Sequence, residues 1–280
     1  IADLEKLRPH PKVLGLAEVM NFPGVLAGDP GMVAKLFAFQ GSHIDGHAPL
    51  LSDLALNGYL AAGIRTDHEA TSAAEAREKL KKGMAILIRE GSVSKDLDAL
   101  AEILDANTSA YVALCTDDRN PLDILEEGHL DSSIRRLIAK GRPLHHVYRA
   151  ASHSAARIFG LTDRGLVAPG YRADIALLDS LEDCRVAEVI SAGRLVRPEL
   201  FEARPSVPPV GLSSMKAQRV TPDTFIVPVD NRRNETPVIA VKPGLILTFR
   251  DSAVLEISER GTLPDLENDV IKIAVIERHG

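Results

Sequence analysis

The sequence predicts an α/β protein: the C-terminal part of a (β/α)8 TIM barrel, strands four to eight, followed by a small β domain and a further β-rich C-terminal region. Two observations predict this fold class. Short apolar runs alternate with helical segments over residues 1–160, as expected for parallel strands that are buried on both faces. Most of these runs also end at polar residues, and β/α barrels carry their chemistry at the C-terminal ends of the strands.

Five strands are predicted in this part of the chain. In order, they end the sequences VLGLAE, SHIDGH, IRTDH, MAILIRE and YVALCTD. All but the fourth lead to a residue that can bind a metal, and these residues are Glu18, His47, His68 and Asp117. A complete barrel has eight strands, so five strands that end in two helices correspond to strands four to eight. Strands one to three are expected before Ile1.

Helical segments precede, separate and follow these strands. They are predicted over 1–7, 30–40, 52–62, 71–82, 94–106, 121–140 and 143–159. Ser52 and Ser72 suit N-caps, and glycines follow the ends of both helices that they would begin. The lysines in the last turn of 71–82 complement the helix dipole and are expected to lie on a solvated face.

The pattern changes after residue 160, where short strands are joined by glycine and proline turns. We interpret 1–160 as the partial barrel that carries the site, 161–203 as a small β-sandwich segment, 204–220 as a proline-rich linker and 221–280 as the start of a β-rich C-terminal domain. Strand-like runs in the last region are FIVPV, PVIAV, LILTF and VIKIAVIE. The last run ends abruptly, three residues before the C-terminus.

Composition narrows the classes of function. The chain has 280 residues, a net charge of −6 and no block of like charge, which argues against a nucleic-acid partner and favours a small molecule. Cys115 and Cys184 are far apart and form no CxxC motif, as expected in a reducing cytoplasm. No apolar run approaches the ~18 residues needed to cross a bilayer, so no membrane partner is expected. The open sheet edges of a partial barrel predict homo-oligomers.

The residues at the strand ends predict a hydrolytic metal centre. Two imidazoles and two carboxylates presented from different strands suit Zn²⁺, Mn²⁺ or Fe²⁺. Such a cation lowers the pKa of bound water to about 7 and so supplies hydroxide. Asp117 can bind the metal through one oxygen and accept a proton on the other.

Each residue also has a structural alternative. A single His or Glu at a strand end is more often a hydrogen-bonded loop residue than a ligand, whereas four in register favour ligation. Glu69 is either a substrate contact or a solvated acid. Arg89, Glu90 and Ser92 either reach a substrate or form a salt bridge and a helix cap. Asp118 either contacts a ligand or pairs with the arginine that follows it.

Five motifs occur in order along the chain: GLAEVMNFPGV, HIDGHAP, AAGIRTDHE, GMAILIREGS and LCTDDRNPLDILEEGHLD. Together they resemble the successive motifs of bacterial adenine deaminases in the amidohydrolase superfamily. The later stretch GLVAPGYRADIALLD is similar to the superfamily's entry into its small β domain. The resemblance covers nearly the whole chain, and HIDGHAP and CTDDRNP are far more specific than a lone HxH motif.

The resemblance implies a binuclear centre of Mn²⁺ or Fe²⁺, with Zn²⁺ also accepted. By this likeness Glu18 bridges the two metals in place of a carboxylated lysine. His47 and His68 are the ligands from strands five and six, and Asp117 is both the strand-eight ligand and the proton shuttle. The residues implied to assist catalysis or to hold the purine are Glu69, Arg89, Glu90, Ser92 and Asp118.

The implied reaction is the hydrolytic deamination of adenine in purine salvage. A metal-bound hydroxide attacks C6, Asp117 accepts its proton, and ammonia leaves to give hypoxanthine. By the same likeness the family's C-terminal region continues past Gly280, so that end is expected to be incomplete. The superfamily's HxH pair from strand one is absent, because no His-x-His occurs in the chain. We therefore predict that this chain alone binds metal poorly and turns over adenine little or not at all. Two alternatives stay open: a dihydroorotase-like or deacetylase-like amidohydrolase acting on another ring or amide, and a non-catalytic barrel fragment.

Overall fold

The computed structural model describes residues 1–202, 206–228 and 235–278. The chain divides into two compact units, Ile1–Arg197 and Pro198–Gly280. All the residues predicted to form the site lie in the first unit. Within the described ranges, no helix combines the length and the apolar character that crossing a bilayer requires.

A five-stranded parallel sheet forms the centre of the first unit. Its strands are β1 (Gly15–Val19), β2 (His43–Gly46), β3 (Thr66–Asp67), β4 (Ala85–Arg89) and β5 (Val112–Cys115). They lie side by side in sequence order, and each neighbouring pair is parallel. Consecutive parallel strands bring their C-terminal ends together at one end of the sheet. The five predicted strands are confirmed.

Helices connect the strands, as the sequence predicts. They are α1 (Ala2–Leu7), α2 (Phe22–Ala27), α3 (Pro30–Ala38), α4 (Asp53–Ala61), α5 (Ala73–Lys81), α6 (Leu97–Leu100), α7 (Pro121–Glu126), α8 (Leu130–Ala139), α9 (Leu144–Arg149) and α10 (Ala155–Ile158). A 3₁₀ turn continues α6, and a π-helical turn joins α9 to α10.

Two helical segments differ from the prediction. The segment predicted as one helix over 121–140 is two helices, because Gly128 between them adopts a φ of +101°, a conformation that ends a right-handed helix. A short helix that was not predicted, α2, begins after Asn21. The side chain of Asn21 accepts a hydrogen bond from the N–H of Gly24 at 2.9 Å and so caps this helix.

Two hydrophobic clusters fix the helices against the sheet. One contains the fully buried Ile86 and Val112 from the sheet together with Leu137 of α8. The other contains Leu56 of α4 and Ile64, which precedes β3. Each such side chain contributes roughly 1.5–3 kcal/mol on burial. Polar side chains on the same helices are therefore held at defined positions beneath the strand ends.

A three-stranded antiparallel sheet follows the helices. It contains β6 (Ile175–Ser180), β7 (Arg185–Ser191) and β8 (Arg194–Leu195), in that order. The short strands predicted beyond residue 160 are therefore present. The sheet belongs to the first compact unit, and its independence as a domain over 161–203 stays a prediction.

The second unit is built from short antiparallel pairs. In one, β9 (Glu235–Val241) pairs with β10 (Thr248–Val254), and in the other β11 (Ile257–Ser258) pairs with β12 (Gly261–Thr262). The strands predicted at PVIAV and at the end of LILTF lie in the first pair. The strand predicted at FIVPV is wrong over 225–228, and its last residue lies outside the described residues. The strand predicted over 270–277 is also wrong, since only an isolated bridge between Asp265 and Val270 forms there.

Candidate metal centre

Carboxylates and imidazoles converge at the C-terminal end of the sheet. One group that could hold a metal ion consists of Glu18, His47 and His68, and a second consists of His68, Glu69 and Asp117. Within each group the candidate ligand atoms lie within 4.8 Å of one another. Because His68 belongs to both groups, the two adjoin.

The side chains of these groups face one small volume. His68 Nε2 lies 2.9 Å from Glu18 Oε2 and 3.5 Å from Glu69 Oε1. His47 Nδ1 lies 3.6 Å from each of the same two oxygens. The two imidazole rings meet edge to face, with their centroids 5.6 Å apart.

Two buried atoms in this volume have no hydrogen-bond partner among the described residues. They are His47 Nδ1 and Glu69 Oε2. Leaving a buried polar atom unsatisfied costs about 1–3 kcal/mol, so a site that contains two such atoms favours a ligand between them. An imidazole nitrogen and carboxylate oxygens are donors that Zn²⁺, Mn²⁺ and Fe²⁺ accept. The residues present therefore fit a divalent cation.

A buried arginine joins the two carboxylates of the second group. Arg89 Nη1 donates to Glu69 Oε1 and, at 3.1 Å, to Asp117 Oδ2. On its other side, Arg89 Nε and Nη2 donate to Asp96 Oδ2 at 3.2 and 2.9 Å. The side chains of Arg89, Glu69 and Asp96 are at most 1% exposed, whereas that of Asp117 is 40% exposed. Only Asp117 of this cluster is open to solvent.

The charge of Arg89 is secured by its neighbours. Burial alone lowers the pKa of the guanidinium, but Glu69 and Asp96 outweigh this effect and raise the pKa above its ordinary value. Arg89 is therefore charged at physiological pH. The structure shows the salt-bridge alternative considered for this residue, and its direct contact with a substrate stays a prediction.

A second buried ion pair lies beneath the ends of β2 and β3. Asp67 Oδ1 accepts a hydrogen bond from the N–H of Ala48 at 2.8 Å, and Asp67 Oδ2 accepts one from the N–H of Glu69 at 3.2 Å. Lys79 Nζ donates to Asp67 Oδ2 at 2.8 Å and to the carbonyl of Ala48 at 2.7 Å. Both Asp67 and Lys79 are fully buried. This pair therefore holds the backbone next to His47, at Ala48, and on both sides of His68.

The solvated face predicted for the lysines of α5 is wrong for Lys79. Lys79 lies three residues after the buried Ala76, so the two side chains share the face of the helix that packs inward. That spacing is the signal available in the sequence. Asp67 was also absent from the predicted site, although it directly precedes His68.

Tyr59 of α4 links the ends of β1 and β2. Its hydroxyl donates to the carbonyl of Val19 at 2.6 Å and accepts from the N–H of His47 at 3.0 Å. Burial raises the pKa of Tyr59, so the hydroxyl is protonated at neutral pH. No pattern in the sequence indicates this role, because Tyr59 lies among apolar residues at helical spacing.

Asp117 has an unusual backbone conformation. It follows β5 with a φ of +51°, in the left-handed region that few residues other than Gly, Asn and Asp adopt readily. Non-glycine residues held there cluster at functional sites. The conformation is consistent with a functional role for this carboxylate.

Like Arg89, the other three predicted substrate residues lie outside the two ligand groups. Glu90 Oε1 accepts from Arg136 Nη1, and its Oε2 accepts from the first N–H of α6 at 3.3 Å. Ser92 Oγ accepts from the N–H of Asn120 at 2.8 Å. Asp118 is exposed next to the second group. Contact of these residues with a substrate stays a prediction.

Comparison with known proteins identifies the family. The sequence matches the profile described as the amidohydrolase family over residues 2–196. The chain belongs to the amidohydrolase family. The matched range contains the whole parallel sheet and both ligand groups.

Adenine deaminase 1 of Agrobacterium fabrum is 61% identical to this chain over 280 residues, which cover 99% of this chain and 48% of that protein. The adenine deaminase of Brucella abortus strain 2308 is 59% identical, with coverage of 100% and 48%. The chain therefore spans about half the length of the relatives that it matches.

A solved structure supports the fold. The β-aspartyl dipeptidase of Fervidobacterium islandicum AW-1 superimposes with a TM-score of 0.50 and 19% identity, covering 67% of this chain and 58% of that one. Similarity at this level of identity shows the fold alone. With the family match and the five parallel strands, it confirms the predicted fold class, a part of an amidohydrolase barrel.

Proposed function

We propose that this chain is a segment of an adenine deaminase, which hydrolyses adenine to hypoxanthine and ammonia. The observation that carries the proposal is the convergence of the two ligand groups in a chain about 60% identical, over its whole length, to proteins named adenine deaminase. A different ring or amide as substrate is not favoured, because the similar proteins from Agrobacterium, Brucella and Rhizobium all carry that name.

The proposed cofactor is a pair of Mn²⁺ or Fe²⁺ ions, with Zn²⁺ also compatible. The residues that would hold it are Glu18, His47, His68 and Asp117. When bound, a divalent cation lowers the pKa of coordinated water and so supplies a nucleophile near neutral pH. Tyr59 and the Asp67–Lys79 pair hold the backbone next to Glu18 and the two histidines, and Arg89 holds Asp117.

Asp117 is the proposed proton carrier. Its carboxylate is 40% exposed and therefore within reach of a substrate, and Arg89 fixes one of its oxygens at 3.1 Å. A carboxylate in this position can accept a proton from the attacking water and deliver it to the departing amino group. Glu69 is the second proposed catalytic carboxylate, since its buried Oε2 has no hydrogen-bond partner among the described residues.

Binding of the purine by Arg89, Glu90, Ser92 and Asp118 is part of the proposal. Asp118 is the best placed of the four, because it is exposed next to Asp117. Arg89 is fully buried, so we propose that it acts on the purine chiefly through the carboxylates of Glu69 and Asp117.

The cellular setting is also a proposal. We place the protein in the cytoplasm, in purine salvage, as a homo-oligomer. In the described part of the chain, β1 and β5 each pair with a strand on one side only, and in the isolated chain such open edges favour association with a second copy or with another segment of the barrel. The isolated chain is expected to bind metal poorly, because it contains no HxH pair.

The test uses the longest natural protein that contains this chain, purified and loaded with Mn²⁺. Loss of adenine absorbance with release of ammonia should be abolished by Glu18→Gln and by Asp117→Asn. Glu5→Gln and Asp3→Asn, two exposed acids of α1, serve as controls and should leave turnover unchanged. If the protein binds about two metal ions per chain but does not turn over adenine, the proposed substrate is wrong and another ring or amide is the substrate.

A further inference from the structure

The hydroxyl of Tyr59 lies between the C-terminal ends of β1 and β2. These strand ends carry Glu18 and His47, two members of the first ligand group. The hydroxyl donates to the carbonyl of Val19, the residue after Glu18, and accepts from the N–H of His47. These two hydrogen bonds join segments 28 residues apart in sequence, from Val19 to His47, through a side chain of a third element, α4. One hydroxyl thus contacts the backbone next to Glu18 and the backbone of His47.

The hydroxyl lies where the regular pairing of the two strands is interrupted. The register between β1 and β2 shifts between Leu16 and Val19, which is the stretch that contains Glu18. A parallel ladder normally fixes such ends by evenly spaced backbone hydrogen bonds. The ladder is irregular here, so it fixes the ends of β1 and β2 less firmly. The two hydrogen bonds of the Tyr59 hydroxyl provide an additional connection between these ends.

The space around this hydroxyl is closely packed. A Cβ added at Gly46 would lie 3.1 Å from the Tyr59 oxygen and 2.3 Å from the carbonyl oxygen of Thr66. Tyr59 itself is fully buried. Replacement by Phe therefore removes one oxygen and leaves the N–H of His47 without this partner, in a place where other groups have little room to move.

The distances in the ligand group depend on this arrangement. His47 Nδ1 lies 3.6 Å from Glu18 Oε2, and a metal ion bound by both residues requires their donor atoms at defined separations. We infer that Tyr59 is a positioning residue whose hydroxyl sets the separation of Glu18 and His47 and thereby the affinity for metal. This inference rests on the proposed metal-dependent function. Groups that orient metal ligands typically contribute a factor of about 10–100 in metal affinity or activity.

The test compares Tyr59→Phe with Tyr148→Phe in the longest natural protein that contains the chain. Tyr148 is a matched control, because its hydroxyl also donates to a backbone carbonyl, that of Leu181 at 2.7 Å, but lies in a different part of the first unit. Apoprotein is titrated with Co²⁺, whose visible absorption reports the ligand geometry. We expect Tyr59→Phe to weaken Co²⁺ binding about tenfold or more and to change the spectrum, and Tyr148→Phe to do neither.

Thermal unfolding separates positioning from general destabilisation. Ile64→Val removes one buried methyl group from the cluster that contains Tyr59 and keeps the hydroxyl. It should lower the thermal midpoint without weakening Co²⁺ binding. Excess metal should restore much of the adenine turnover of Tyr59→Phe, which a misfolded variant would not show.

The possible results point to different failures. If the wild type binds Co²⁺ and deaminates adenine while Tyr59→Phe binds Co²⁺ equally well, the positioning role is wrong and the proposed function stands. If Ile64→Val weakens binding as much as Tyr59→Phe does, the effect is one of stability and the positioning role is again wrong. If the wild type binds Co²⁺ but does not act on adenine, weaker binding by Tyr59→Phe still supports the role. If the wild type binds no metal, both the positioning role of Tyr59 and the proposed function are wrong.

Discussion

The two sides of the candidate site differ in how they are held. On the closed side, Glu69 contacts a buried arginine and lies above a buried lysine–aspartate pair, and its side chain is 1% exposed. On the open side, the Glu18 side chain is 32% exposed, and His47 Nδ1 has no hydrogen-bond partner among the described residues. The closed side is thus held mainly by protein contacts, with only Glu69 Oε2 left without a hydrogen-bond partner among the described residues, whereas the open side depends on what binds to it.

This difference separates stability from function. Buried ion pairs add little to stability as pairs, but loss of one partner leaves an uncompensated charge at high cost. A partly exposed carboxylate can be changed with little effect on folding. We therefore expect substitutions on the closed side to lower the free energy of unfolding and those on the open side to remove metal binding.

The largest expected effect is on the closed side. Lys79→Met leaves Asp67 as a buried, unpaired charge and should lower the free energy of unfolding by about 3–5 kcal/mol, measured by urea denaturation. The control is Lys82→Met, at the C-cap of the same helix. Lys82 pairs with Glu78 at 2.8 Å, but both side chains are partly exposed, so that loss should stay below about 1 kcal/mol. Equal losses for the two variants would contradict the proposed role of the buried pair.

Metal loading tests the open side directly. In the longest natural protein that contains the chain, free metal at 100 times its dissociation constant should raise the free energy of unfolding by about 2.7 kcal/mol. The gain should disappear with a chelator and in Glu18→Gln. Unfolding curves recorded with and without Mn²⁺ provide the measurement, and an undiminished gain in Glu18→Gln would exclude that residue as a ligand.

Asp96→Asn removes the negative charge that pairs with Arg89. Arg89 would lose a charged acceptor at 2.9 Å, and we expect a loss of about 2 kcal/mol in the free energy of unfolding. Turnover of adenine should fall as well, because Arg89 would no longer hold Glu69 and Asp117 in place. Asp98→Asn is the control, since the Asp98 side chain is 57% exposed and its loss should cost less than about 1 kcal/mol. An Asp96 variant with wild-type turnover would contradict the role given to Arg89.

The smallest expected effect comes from Glu18→Gln in the metal-free protein. Its side chain is 32% exposed and lies 2.9 Å from His68 Nε2, a contact that glutamine can retain. The free energy of unfolding should change by less than about 0.5 kcal/mol, measured by urea denaturation with a chelator present. A loss as large as that of Lys79→Met would show that the two sides of the site do not differ.

The sequence predicts the strand ends well because their signals are local. A continuous apolar run followed by a polar residue marks each buried strand and its end, and Glu18, His47, His68 and Asp117 were located in this way. Their convergence follows from the parallel order of the strands. The helix caps at Ser72 and Asn120 are equally local; only the first was predicted.

The supporting residues escape such reasoning because their partners are distant in sequence. Tyr59 bonds to Val19, 40 residues away, and Asp67 bonds to Ala48, 19 residues away. Lys79 stands in the charged run AREKLKK, where only its helical face distinguishes it from its solvated neighbours. The sequence does not indicate that α4 and α5 place the hydroxyl of Tyr59 and the ammonium group of Lys79 near the strand ends. That information lies in the packing.

The left-handed backbone at Asp117 also restricts how this position can vary in evolution. Asparagine and glycine adopt a φ of +51° with little penalty, and single-base changes in an aspartate codon reach both. Valine, which a single-base change also reaches, is β-branched and strained in that conformation. In a saturation library of this codon, the inactive variants should therefore form two groups. Variants with asparagine or glycine should be folded but catalytically inactive, and variants with β-branched residues should be poorly folded. Under the proposed role of Asp117, a single-base change at this codon can therefore remove the carboxylate while the fold is kept.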